Sequence, residues 1–118
     1  MSVRRIVPNI KSDDPSLSRS FYEDVLGLRV AMDMGWIVTF SSPSNPTAQV
    51  SFVASGTRQE PHADISIEVD DVDACHAAAV QKGFAIVYPL VDEPWGVRRF
   101  FVRDHDGVVV NIVSHKST

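Results

Sequence analysis

Residues Asp13–Leu28, "DDPSLSRSFYEDVLGL", decide the fold because Asp70–Gly83, "DDVDACHAAAVQKG", repeats their plan. In each stretch an aspartate can accept hydrogen bonds from the free N–H groups of a helix start, and a glycine can end the helix in a left-handed conformation. Pro15 suits the first helical position. Leu17, Phe21 and Val25 recur every four residues and predict one buried stripe; Val72, Cys75 and Ala79 predict another. The capping aspartates precede the stopping glycines by similar distances (Asp14 to Gly27, Asp71 to Gly83), which marks an internal repeat.

The repeat extends outward on both sides. Strands are predicted over Val3–Lys11, Leu28–Met32, Trp36–Ser41 and Ala48–Ala54, with the turn-forming "SSPSNP" between the last two. After the second helix come Phe84–Val91, Val97–Arg103 and Val108–Ser114, and "ADISIEV" precedes it. Each half is therefore βαβββ. The polar "SGTRQEPH" (Ser55–His62) reads as a connection. We expect one domain over residues 1–118: a first module to about residue 55, a linker over about 56–62, and a second module from about 63.

The composition narrows the function classes. With 44% hydrophobic and 22% charged residues, the chain is that of a soluble globular domain. A net charge of -4 argues against nucleic acid, whose binders carry a basic face. No apolar run approaches the roughly 20 residues of a membrane helix, and "MSVRRIVPNI" lacks the apolar core of a secretory signal. The single cysteine, Cys75, allows neither an internal disulfide nor a Cys-rich zinc site. A cytoplasmic protein is the simplest expectation.

The βαβββ duplication, with "SRSFYEDVLGL" in the first half and "EPWGVRRFFVRDHDG" in the second, resembles the vicinal oxygen chelate superfamily. That group includes glyoxalase I, extradiol dioxygenases and bleomycin-resistance proteins. The resemblance spans nearly the whole chain, and the "PWG…RD..G" element looks most like the bleomycin-resistance branch. It implies an α+β fold in which tandem βαβββ modules form curved antiparallel sheets around a cleft, with helices on the outer face. It also implies a homodimer. Metal-dependent relatives hold a divalent ion in the cleft with His and Glu ligands. Counting from the capping aspartates and from Asp104, the corresponding positions fall near Val7, at Gln49 or Ser51, at Asp64 and at Asn111. Only one of the four is ionisable, whereas such an ion needs several anionic or imidazole ligands. The expectation is no metal and no cofactor, with a divalent metal relocated to Asp64, His62 and His115 as the alternative.

Asn111 interrupts the otherwise apolar "VVVNIVS" strand, so its face matters. If "DHDG" is a four-residue connection, Arg103 pairs with Val108. Phe101, Val108, Val110 and Ile112 then face a helix, while Arg98, Phe100, Val102, Val109, Asn111 and Val113 face the cleft. The expected ligand-binding set is Trp95, Arg98, Phe100, Asn111, Asp64, Ser66, Glu68 and Ser51, with Trp36 and Phe40 as further aromatic walls. Aromatic surface with a few convergent polar groups is what small-molecule sites use. Trp95 can stack on a ligand or pack its loop, and Arg98 can bind an anion or pair with Glu68 or Asp64 inside the sheet. Cys75 and His76 are adjacent on a helix and point apart, which excludes a nucleophile–base pair. Asp104 and Asp106 before Gly107 lack the later ligands of a calcium loop and read as a turn.

Two functional readings follow. The first is a metal-independent binding protein for an antibiotic-like or aromatic small molecule, of the bleomycin-resistance type. The alternative is a glyoxalase-like enzyme: a metal-dependent lyase, isomerase or dioxygenase with non-standard ligands, or a metal-independent catalyst using Glu68 or Asp64 as the base.

Overall fold

The computed structural model describes residues 1–54 and 60–115. Part of the expected linker, 55–59, lies outside the described residues. Eight strands and two helices follow in the order β1 (Val3–Ser12), α1 (Arg19–Tyr22), β2 (Arg29–Asp33), β3 (Ile37–Ser41), β4 (Gln49–Ala54), β5 (Ile65–Val69), α2 (Val72–Gln81), β6 (Ile86–Asp92), β7 (Val97–Arg103) and β8 (Val109–His115). This is the α+β class, with the duplicated βαβββ plan. The chain divides into two units: Val7–His62, and Met1–Ile6 together with the chain from Ala63.

In the first unit the strand order is β2-β3-β4-β1. The β2/β3 and β3/β4 pairs are antiparallel, but β1 and β4 are parallel, with Asn9 opposite Ser51. The second unit repeats this as β5-β8-β7-β6, with β5 and β8 parallel and Ser66 opposite Asn111. The sheets are thus mixed rather than wholly antiparallel. The helical crossover makes the first and second strands of a module run the same way; two reversals later the fourth strand returns beside the first in that direction.

Both helix starts behave as their sequences dictate. Asp14 accepts from the Ser16 N–H and Asp71 from the Ala74 N–H, and Gly27 and Gly83 adopt φ of 72° and 81°. The two helices then differ. The α2 stripe of Val72, Cys75 and Ala79 packs on Val69, Phe100 and Ile112 as expected.

In the first unit, Pro15–Ser18 form a 3-10 turn and α1 is a single α turn. A 3-10 turn has three residues per turn, so a stripe spaced by four cannot stay on one side. Leu17, Phe21 and Val25 are all more than half exposed, which corrects the expected buried stripe. Tyr22 and Leu28 enter the core instead, against Val38, Phe40 and Phe52. Phe40 has no exposed surface, so it is a core residue under α1 and not a cleft wall. Its ring centroid lies 5.6 Å from that of Tyr22.

A second correction concerns β7. The connection to β8 is three residues, His105-Asp106-Gly107, closed by the Asp104 N–H donating to the Val108 carbonyl at 3.0 Å. Asp104 Oδ1 also accepts from the N–H groups of Asp106 and Val108, and Gly107 takes φ of 83°. This three-residue loop with a left-handed glycine is among the common hairpin connections. Arg103 therefore pairs with Val109 rather than Val108, and Phe101 rather than Phe100 stands opposite Asn111. The β8 faces are as expected, but every β7 side chain lies on the opposite face from the one expected.

Candidate functional site

The register places Phe100, Val102, Ile112 and Ile67 beneath α2. Phe100 is 1% exposed and meets the His76 ring edge-on, so it belongs to the core. Arg98 shares that side: its guanidinium pairs with Asp73 of α2 at 3.0 Å and with Asp92 at 3.4 Å. Neither the expected cleft position of Arg98 nor its pairing with Glu68 or Asp64 is found.

The opposite face of the same sheet carries the chemistry. One row across the strands runs Ser66, Asn111, Phe101 and Tyr88; the next runs Glu68, Val113 and Arg99. Arg99 is the centre of an ion pair that sequence reasoning missed. Its Nε and Nη2 donate to Glu93 Oε2 at 2.7 and 2.6 Å, and Tyr88 donates its hydroxyl to the same oxygen at 2.9 Å. The two charged side chains are only 8% and 10% exposed. Three rings enclose the guanidinium, with centroids 5.1 Å (Tyr88), 5.1 Å (Trp95) and 4.9 Å (Phe101) from its carbon. Each ring presents its electron-rich face to the cation.

Burial, and then the hydrogen bond to Glu93, push the Tyr88 hydroxyl above the ordinary tyrosine range. Trp95 sits in the β6–β7 turn, which Gly96 closes at φ of 93°, and keeps 37% of its surface exposed. The turn thus holds Glu93 and Trp95 over β7. The signal in the sequence was the alternation Glu93, Trp95, Arg99, Phe101, which becomes readable only with the register known.

Asn111 donates from Nδ2 to Ser66 Oγ at 3.0 Å, while its Oδ1 is shielded from solvent and has no hydrogen-bond partner among the described residues. Whichever way the amide is turned, one polar atom meets Ser66 and the other is left over. A buried acceptor without a donor costs about 1–3 kcal/mol. Glu68 lies on this face and meets two side chains. Its Oε1 meets Arg5 Nε at 3.1 Å, and its Oε2 meets His115 Nδ1 at 2.5 Å.

The remaining expected residues are dispersed. Asp64 is exposed and spends Oδ2 on the Val109 N–H at 2.9 Å. In the first unit, the Ser51 and Thr39 hydroxyls form a buried 2.7 Å bond, His62 Nε2 meets the Asn9 carbonyl at 3.0 Å, and half-buried Trp36 precedes β3.

The residues at the family's ligand positions do not suit a divalent cation. Val7 offers a hydrocarbon, Asn111 an amide bonded to Ser66, Ser51 a hydroxyl bonded to Thr39, and Asp64 a carboxylate capping a backbone N–H. The alternative set of Asp64, His62 and His115 is engaged in three separate contacts. Among the described residues no group of three or more His, Cys, Asp or Glu side chains could hold an ion.

Comparison with known proteins agrees with the fold. The sequence profile of the Glyoxalase/Bleomycin resistance protein/Dioxygenase superfamily matches residues 7–112. None of the curated proteins matches the sequence. Among solved structures, a superfamily member from Vibrio splendidus is similar at 19% identity and a TM-score of 0.68, over 96% of this chain and 99% of that one. A Streptomyces coelicolor methylmalonyl-CoA epimerase, in complex with 2-nitronate-propionyl-CoA, is similar at 20% identity and a TM-score of 0.73, over 98% and 100%. A hypothetical protein from Bacillus halodurans reaches a TM-score of 0.77 at 14% identity, over 100% and 98%. At these identities the likeness carries the architecture alone. No helix among the described residues is long and apolar enough to cross a membrane.

Proposed function

The chain belongs to the glyoxalase/bleomycin resistance protein/dioxygenase superfamily, and within it we propose that it binds a small, planar, polar molecule without a metal. The site is the face of the second unit's sheet opposite α2. The observation that carries this reading is Asn111 Oδ1, an acceptor at the middle of the sheet with no donor among the described residues. Such an atom is completed by a donor, and a ligand N–H or O–H reaches it when the neighbouring side chains that shield it move aside. Trp95 keeps its indole exposed beside the ordered Arg99–Glu93 pair, offering a flat surface already fixed in orientation. The ligand class is an aromatic or antibiotic-like metabolite, taken up by a homodimer.

Titration with planar aromatic natural products, read by Trp95 fluorescence in a W36F background, tests the reading. Saturable quenching that Asn111→Leu weakens is the expected result. A broad panel without saturable quenching, or an N111L protein that binds equally well, rejects it. Light scattering on the same sample checks the dimer.

A second reading has its own observation, the Glu68–His115 contact. A carboxylate that holds one imidazole nitrogen orients the other for proton transfer. The similar epimerase was solved with an acyl-CoA analogue, so exchange of α-protons in simple acyl thioesters is the assay. Solvent deuterium incorporation that H115Q and E68Q abolish supports catalysis by this pair. No exchange above the buffer rate excludes it for that substrate class.

A further inference from the structure

The other side of the same sheet holds a feature that the proposed function does not use. A pocket of about 300 Å³ opens between α2 and the strands beneath it. Its origin is legible in "CHAAAVQK": α2 turns Cys75, Ala78 and Ala79 toward Phe100, Val102 and Ile112. Small side chains stand where bulkier ones would close the gap. Protein interiors rarely leave voids larger than a water molecule, and this volume lies at the lower end of ligand pockets. The wall is almost entirely hydrocarbon.

Residues with charged ends border the pocket, and the surface they give it is almost all carbon. Lys82, just past the end of α2, and Arg103, at the end of β7, both line it, together with Asp104. The Asp104 carboxylate is occupied by the N–H groups of Asp106 and Val108 in the hairpin turn. Among the described residues neither Lys82 nor Arg103 forms an ion pair. The pocket is thus an apolar space bordered by two cationic residues that form no ion pair among the described residues.

We propose that this pocket binds a small amphipathic carboxylate, its alkyl or aryl body beneath α2 and its carboxylate between Lys82 and Arg103. Apolar burial supplies the attraction, and the two cations select an anion over a neutral or cationic molecule of the same shape. The pocket lies on the α2 side of the sheet and Asn111 on the other, and Arg103 borders the pocket from the end of β7.

Cys75 lines the pocket and is the only cysteine in the chain, so its alkylation reports occupancy without a background signal. Burial raises the thiol above the ordinary cysteine range, so the reaction with iodoacetamide is run at alkaline pH. Octanoate is expected to slow Cys75 labelling saturably, with octanol protecting less and octylamine not at all. The K82Q/R103Q protein should need about tenfold more octanoate for the same protection, the change that accompanies loss of charge-assisted contacts. Both substitutions are at the rim and spare the core. Ala79→Leu should fill the pocket and abolish protection; a folded A79L protein that is still protected rejects the assignment. No protection by octanoate rejects the pocket as a ligand site. Equal protection by all three compounds, or an unchanged K82Q/R103Q titration, rejects the anion preference.

Discussion

The Arg99–Glu93 pair gives the sharpest test of the second unit's architecture. Glu93→Ala removes the carboxylate oxygen that accepts from Arg99 Nε, Arg99 Nη2 and the Tyr88 hydroxyl. The guanidinium, 8% exposed, then loses an acid that helps to offset its desolvation. Breaking a buried pair from one side costs about 3–5 kcal/mol. In a chain of 118 residues, about 3–6 °C of melting temperature accompanies each kcal/mol, so the midpoint should fall by roughly 10–30 °C. Thermal unfolding followed by circular dichroism measures this.

The paired substitution R99M/E93L removes both charges and keeps most of the volume. It should recover more than half of the loss, because no charge is left behind. The exposed Arg19–Glu23 pair is the internal control, and E23A should leave the midpoint nearly unchanged. A loss below about 1 kcal/mol for E93A, or a double variant no better than the single one, refutes the idea that burial makes this pair costly to break.

Other outcomes follow from the same reasoning. Phe40→Ala should cost about 3–5 kcal/mol in urea unfolding, whereas Leu17→Ser and Phe21→Ser should stay within about 0.5 kcal/mol, because α1 turns those residues outward. Thr39→Val strands the Ser51 hydroxyl in the first unit's core and should cost about 1–3 kcal/mol, with T39V/S51A less destabilised than the sum of its parts in the same assay. The Ser2 N–H donates to Asp70 at 2.8 Å and holds that carboxyl below the ordinary carboxylate range. The folded value lies below the unfolded one, so the contribution is present above the ordinary carboxylate pKa and lost as pH falls through the folded value; D70N should flatten the acid limb of the stability curve. In the opposite direction, Glu93→Gln should lower the Tyr88 pKa, since the hydrogen bond and charge that raise it weaken while Arg99 still favours the phenolate; ultraviolet titration of tyrosine checks it.

Much of the architecture could be read from local chemistry. Asp14 and Asp71 cap their helices and Gly27 and Gly83 end them, because these groups act within a few residues of themselves. The repeat follows from them, and so does the placement of Asn111 on the face away from α2. Strand alternation is also local, and in β8 the amide of Asn111 marks one face of an otherwise apolar run.

Tertiary structure decided the rest. The connection after β7 has three residues and not four, and a one-residue difference moves every β7 side chain to the other face. That single offset takes Arg98 and Phe100 to α2 and brings Arg99 and Phe101 beside Asn111. Glu93 could not be identified as the partner of Arg99 until the Gly96 turn set its carboxylate over β7. The stripe of Leu17, Phe21 and Val25 needed a continuous α-helix to be buried, and a 3-10 turn with one α turn does not provide it. Sequence determines a period from nearest neighbours; which phase of that period faces the site depends on closures made by backbone groups far from the side chains concerned.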